Sequence, residues 1–166
     1  MATTQDNLAA AFAGESQANR KYLCFAKKAE EEGFPVVAKL FRAAAEAETV
    51  HAFGHFKNMG GIKSTLENLQ AAFDGETFEY KEMYPPMIEQ ATKEEHKGKG
   101  MLVWANKAEE VHAGLYAKAI EAVKAGKDLE QMDIWYCPLC GFIEYGEKAP
   151  EKCPICGAPA AKLIKM

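Results

Sequence analysis

Positive charge is in slight deficit along this 166-residue chain, with 20 basic against 24 acidic residues and a net charge of −4. No basic stripe is available to neutralise phosphates, which excludes nucleic acid as a partner and leaves nothing to hold an anionic lipid surface. Long apolar runs are missing too, none approaching the ~20 residues that a membrane span requires. The opening residues, Met1-Ala-Thr-Thr-Gln-Asp6, lack the charged flank and apolar core of an export signal, so a cytoplasmic protein is the expectation. Cysteine is scarce, at five residues, and four of the five fall into two C-x-x-C pairs. In an intracellular chain such pairs read as metal ligands before disulfides.

What the chain does have is helical pattern. Apolar residues recur at helical spacing from about Gln5 to Glu32, with Thr3 and Asp6 placed to cap the start. Gly33-Phe-Pro35 supplies a turn, and a second helix runs from Pro35 to about Asn58. Gly60-Gly61 stops it. The stretch to Glu76 carries a shorter helical pattern around Ser64 to Phe73 that Asp74-Gly75 breaks. That reads as a long connection to a third helix, from about Thr77 towards Lys97 and interrupted by Pro85-Pro86. Gly98-Lys-Gly100 separates a fourth, which ends near Lys124.

Beyond Ile134 the character changes. Four of the chain's seven prolines and four of its five cysteines crowd into this tail. The expected fold is therefore an all-α four-helix bundle over residues 1–130 with a small metal-stapled β/loop domain over 131–166.

Two motifs of one kind stand out within the helices, Glu48-Thr-Val-His51 and Glu109-Glu-Val-His112. Residues three apart share a helical face, so each motif aims a carboxylate and an imidazole at one point. Glu15 precedes the first by 33 residues and Glu79 precedes the second by 30, giving each helical hairpin one single carboxylate and one Glu-x-x-His pair. Ferritin-like bundles hold two iron or manganese ions with this donor set. Carboxylates are hard donors able to bridge cations, and imidazole suits iron. Ala43, Ala44, Ala45, Ala47, Ala105 and Ala108 are small enough to let the helices approach.

Glu82 shares a face with Glu79 and offers a further ligand. Pro85 and Pro86 deprive the carbonyls of Lys81 and Glu82 of their usual partners, which would let Glu82 move between ligating and free positions. Tyr22 and Tyr84 lie within one or two turns of ligands, where a phenol either bonds a carboxylate or packs as a core aromatic. His55 and His96 read as surface residues.

In the tail, Cys137-Pro-Leu-Cys140-Gly141 and Cys153-Pro-Ile-Cys156-Gly157 form two matching knuckles. Each curls the backbone so that both sulfurs meet one ion, with a glycine free to take positive φ. So short a segment cannot bury enough apolar surface by itself, so the ion acts as its core. Four thiolates hold zinc or iron. The C-P-x-C-G form with Trp135, Tyr136, Phe142 and Tyr145 nearby, and the need of a di-iron bundle for electrons, favour iron.

Taken in this order, and with the strings Ala11-Phe-Ala-Gly-Glu-Ser16 and Glu82-Met-Tyr-Pro85, the chain resembles the rubrerythrin family over essentially its whole length. The resemblance implies a non-haem di-iron peroxidase that reduces hydrogen peroxide to water. Electrons would enter through a mononuclear Fe(Cys)4 site from a reductase fed by NAD(P)H, or from rubredoxin. It further implies that Glu48 and Glu109 bridge the irons, Glu15 and Glu79 are terminal ligands and His112 holds the second iron. Glu82 and His51 would then exchange on one iron as oxidation state changes. A homodimer is implied as well, with exchange of helices between chains permitted. The knuckle loop is shorter than in free rubredoxins, but no ligand is lost.

Two other classes remain open on sequence alone: a ferritin-like ferroxidase for iron handling, and a zinc-ribbon binding module. The cysteine tail argues against storage, which needs no electron donor. A zinc protein would be colourless, whereas ferric thiolate absorbs in the visible.

Overall fold

The computed structural model describes residues 2–166. Its packing falls into two compact units that divide between Lys63 and Ser64.

The first unit is a hairpin of α1 (Thr4–Glu31) and α2 (Pro35–Asn58). Thr3 caps α1 reciprocally: its hydroxyl accepts from the Asp6 N–H, and its own N–H donates to the Asp6 carboxylate. Gly33 makes the turn at φ +81°, a conformation costly for any residue with a Cβ. The seam between the helices is alanine, with Ala26, Ala29, Ala38, Ala45 and Ala52 buried. Across it Asn19 Nδ2 donates to Ala45 O at 2.7 Å and to Thr49 Oγ1 at 2.8 Å. Outside the seam, Leu40, Val50 and Phe53 are 68%, 69% and 68% exposed, so α2 carries a bare apolar face.

The second unit opens with α3 (Thr65–Phe78), passes through a π-helical turn at Glu79–Met83 and continues as α4 (Tyr84–Lys93). This single rod packs on α5 (Lys99–Lys124). Here the sequence expectation needs correction, because the third helix begins at Thr65 and not Thr77. The connection from α2 is only Met59–Ser64. A Ser64–Glu67 capping box starts the helix early, and one glycine inside a helix costs only about 1 kcal/mol, too little to break a rod packed along α5.

The prolines leave their mark elsewhere. Pro85 and Pro86 cannot donate to Lys81 and Glu82, and the helix answers by widening, the Tyr84 N–H bonding five residues back to Glu79 O.

The cysteine segment completes this unit. Strands β1 (Asp133–Tyr136), β2 (Ile143–Gly146) and β3 (Ile164–Lys165) form an antiparallel sheet in the order β2-β1-β3. Cys137, Cys140, Phe142, Cys153, Ala158 and Leu163 make its core, against which Trp104 and Val111 of α5 pack. Among the described residues the largest fully buried side chains are three of the cysteines. No helix of the described residues is long and apolar enough to cross a membrane.

Candidate metal centres

In the α1–α2 hairpin, Glu15, Glu48 and His51 converge so that one ligand atom from each lies within 4.8 Å of the others. His51 Nδ1 stands 2.9 Å from Glu48 Oε2, and its side chain is 55% exposed. The Glu-x-x-His spacing produces this pairing on one helix, and α1 adds the third donor.

The second unit holds a matching cluster of Glu76, Glu109 and His112, again within 4.8 Å. His112 is only 16% exposed; its Nδ1 lies 2.8 Å from Glu109 Oε2 and 3.6 Å from Glu76 Oε2. The other ring nitrogen, Nε2, lies 2.9 Å from the carbonyl oxygen of Gly141. A carbonyl can only accept, so Nε2 carries the ring hydrogen and Nδ1 turns a lone pair towards the carboxylates. Lone pairs so close repel unless a cation or second proton lies between them, and a metal ion meets that need.

The local electrostatics agree. Burial, reinforced by the hydrogen bond and charge of Glu109, pushes the Glu76 carboxyl up to about 7 against the opposing pull of His112 in its protonated form. Burial and the Glu109 charge also raise Glu79. Tyr84 is raised by burial first, then by Glu109, Glu79 and Glu76. Carboxylates crowded in this way gain from an ion that neutralises them.

Two expected ligands, Glu79 and Glu82, lie outside these clusters. The carboxylate that meets Glu109 and His112 is Glu76, one turn before the expected Glu79, while Glu79 stands beside them as an electrostatic neighbour. Glu82 is exposed and joins no ligand cluster among the described residues. The wide turn that the prolines impose spans Glu79–Met83 and therefore holds both Glu79 and Glu82. Of the tyrosines, Tyr84 faces the carboxylates. Tyr22 packs with Phe25 and Phe41, ring centroids 6.3 and 6.2 Å away.

A signal for Glu76 was present in the chain. Asn7-Leu-Ala-Ala-Ala-Phe-Ala-Gly-Glu15-Ser16 returns 61 residues later as Asn68-Leu-Gln-Ala-Ala-Phe-Asp-Gly-Glu76-Thr77. The same offset relates Thr3 to Ser64, Asp6 to Glu67, Glu48 to Glu109 and His51 to His112. Glu76 is therefore the counterpart of Glu15, and Glu79 corresponds to Ala18.

The four cysteines form the third centre. Cys137 Sγ lies 3.6 Å from Cys156 Sγ, and Cys140 Sγ 3.4 Å from Cys153 Sγ. These separations exceed the ~2.05 Å of a disulfide and approach the roughly 3.8 Å edge of a tetrahedron with ~2.3 Å metal–sulfur bonds. The knuckles are alike: Gly141 N–H donates to Cys137 O and Gly157 N–H to Cys153 O, both at 2.9 Å, with the glycines at φ +83° and +76°. Burial opposes the Cys137 thiolate, but N–H groups of Leu139 and Cys140 bring that thiol down to about 7. Burial pushes Cys140 up, so the full set is best satisfied with a cation at its centre.

Two carboxylate–histidine clusters on paired helices, joined in sequence to a four-thiolate knuckle site, define a helical non-haem metalloprotein with its own sulfur-ligated centre. The rubrerythrin family model matches residues 6–120, and the model of the rubrerythrin rubredoxin-like domain matches 135–163. The chain belongs to the rubrerythrin family. Rubrerythrin-2 of Clostridium acetobutylicum is 35% identical to it, over 97% of this chain and 95% of that protein. Nigerythrin of Nitratidesulfovibrio vulgaris is 37% identical, over 95% of this chain and 83% of that protein. The solved structure of fully reduced, all-ferrous nigerythrin superposes with a TM-score of 0.59 at 34% identity, covering 100% of this chain and 88% of that one. The two carboxylate–histidine clusters are this chain's candidate di-iron site, and the four cysteines its rubredoxin-like site.

Proposed function

We propose that this protein is a peroxidase that reduces hydrogen peroxide to water at a non-haem di-iron centre, in defence against oxidative stress. Electrons enter at the four-cysteine iron from an NAD(P)H-linked reductase or rubredoxin. One observation carries the reading: His112 reaches Glu109 with one nitrogen and the carbonyl of Gly141, the residue after Cys140, with the other. A single imidazole thus links the carboxylate cluster to the sulfur knuckle. A ferroxidase for storage would have no use for such a link.

When bound, an iron pair supplies two electrons, one from each ion, which matches the two-electron demand of O–O cleavage. The chain's own groups manage position and protons. Glu48 and Glu109 would serve as the bridging carboxylates and Glu15 and Glu76 as terminal ligands if an iron pair is held by these residues. Gly141 fixes the His112 tautomer, as an outer partner does for a metal-bound histidine. Glu76, whose carboxyl is pushed up to about 7, would release a proton on taking the ion. Tyr84, raised by burial and its three carboxylate neighbours, keeps its phenolic hydrogen at neutral pH and serves as a proton donor. Glu79, at the head of the wide turn, and the exposed His51 would be the ligands free to exchange as oxidation state changes.

A homodimer in which the α1–α2 hairpin is completed by helices of a second chain accounts for the bare face of Leu40, Val50 and Phe53. Light scattering on the purified protein checks the mass. The activity is tested by metal count, visible spectrum and peroxide consumption with a reductase as donor. About three irons per chain, a ferric-thiolate spectrum and peroxide turnover are expected. A colourless zinc protein without turnover would refute the reading.

A further inference from the structure

The 61-residue repeat exposes a difference that the ligand sets do not explain. On α2, Ala43, Ala47 and Val50 are all exposed. Their counterparts on α5 are Trp104, Ala108 and Val111, of which Trp104 and Val111 pack on the cysteine core. Ala108 is 1% exposed and lies beneath Gly141, its Cβ 3.9 Å from where a Cβ on that glycine would stand. Where the first hairpin has a methyl group at Ala43, the second has an indole packed against the cluster containing Cys137, Cys140 and Cys153. The shell around these thiolates is therefore built from two sources. Phe142, Leu163 and Trp135 come from the small sheet domain, while Trp104 and Val111 come from the helix that holds Glu109 and His112.

We propose that Trp104 is a positioning residue of the four-cysteine iron site: it completes the apolar shell of that site from α5 and keeps Gly141 seated on His112. Four thiolates give the site a net charge of −1 with ferric and −2 with ferrous iron. An apolar wall disfavours the more highly charged ferrous form, which lowers the reduction potential and favours passing the electron on. Removing the indole admits water beside the sulfurs. The ferrous state is then stabilised, the potential rises and the thiolates become open to competing ligands. The inference rests on the four cysteines holding iron and is independent of whether peroxide is the substrate.

The test is an optical redox titration of the ferric-thiolate band in the full-length, iron-loaded protein, paired with the rate at which a chelator strips that iron. Trp104→Ala is expected to shift the potential to more positive values and to speed iron release several-fold. Trp104→Phe, which keeps an apolar ring, should stay near wild type in both. Val111→Ala opens a smaller gap and should move both readouts in the same direction by less, and it serves should Trp104→Ala fold poorly. Wild-type potential and release rate in both alanine variants would overturn the proposal. So would a Trp104→Phe shift as large as that of Trp104→Ala, because an apolar ring would then not be what the site requires.

Discussion

The two halves of the helical region carry the same ligands in the same order, yet they present them differently. Glu15, Glu48 and His51 sit on a hairpin whose histidine is 55% exposed, whereas His112 is 16% exposed and tied to Gly141. The second half alone has an extra carboxylate, Glu79, where the first has Ala18, and it alone contains the π turn. A duplicated hairpin has thus become one fixed half linked to the sulfur site and one open half. On the proposed reading, the difference separates held candidate ligands from free ones: an outer hydrogen bond would lock a histidine, and a widened turn would loosen a carboxylate.

Breaking the fixed half should do most damage. Glu109→Ala removes a carboxylate that Glu76, Glu79, Tyr84 and His112 all face. It is expected to abolish iron binding at the helical centre while sparing the thiolate iron, which elemental analysis alongside the visible spectrum would reveal.

The histidines come next. Single-turnover reoxidation of the reduced protein by peroxide should slow on the order of 100-fold in His112→Ala and roughly 10-fold in His51→Ala, within the range for lost metal-site interactions. Equal losses would erase the asymmetry.

A smaller effect appears in the metal-free protein. Folding raises the Glu76 carboxyl from 4.5 to about 7, so the folded state holds that proton more tightly than the unfolded chain does. The stabilisation from this group is complete below pH 4.5 and is lost as pH rises through about 7. Melting temperature should accordingly fall across that window, and Glu76→Gln should flatten the slope. Smallest of all, Asn19→Ala should cost the α1–α2 seam about 1–2 kcal/mol in denaturant unfolding, because the Ala45 carbonyl and Thr49 hydroxyl lose their shared donor.

Much of this was legible in the chain because it depends on short-range pattern. Thr3 with Asp6, Gly33 before Pro35, the Glu-x-x-His spacing and the glycines after each knuckle impose their geometry within a few residues. The third helix was not legible in the same way. Asp74-Gly75 carries a local breaking signal, but packing along α5 and the cap at Ser64 outweigh it, and only the fold contains that comparison. The choice of Glu79 over Glu76 followed from the same misplaced boundary. Glu79 and Glu82 share a face in an ideal helix, and the π turn that separates their fates arises from prolines further along. The contact of His112 with Gly141 joins residues far apart in sequence, and no spacing rule reports it.

The central claim is that electrons pass from the sulfur site to the helical centre and on to peroxide. Stopped-flow absorbance tests it most directly: the fully reduced protein is mixed with hydrogen peroxide while the ferric-thiolate band is followed. In the wild type that band should return rapidly and with full amplitude, and in a His51→Ala/His112→Ala double variant it should return far more slowly. Recovery at the same rate in both would contradict the account.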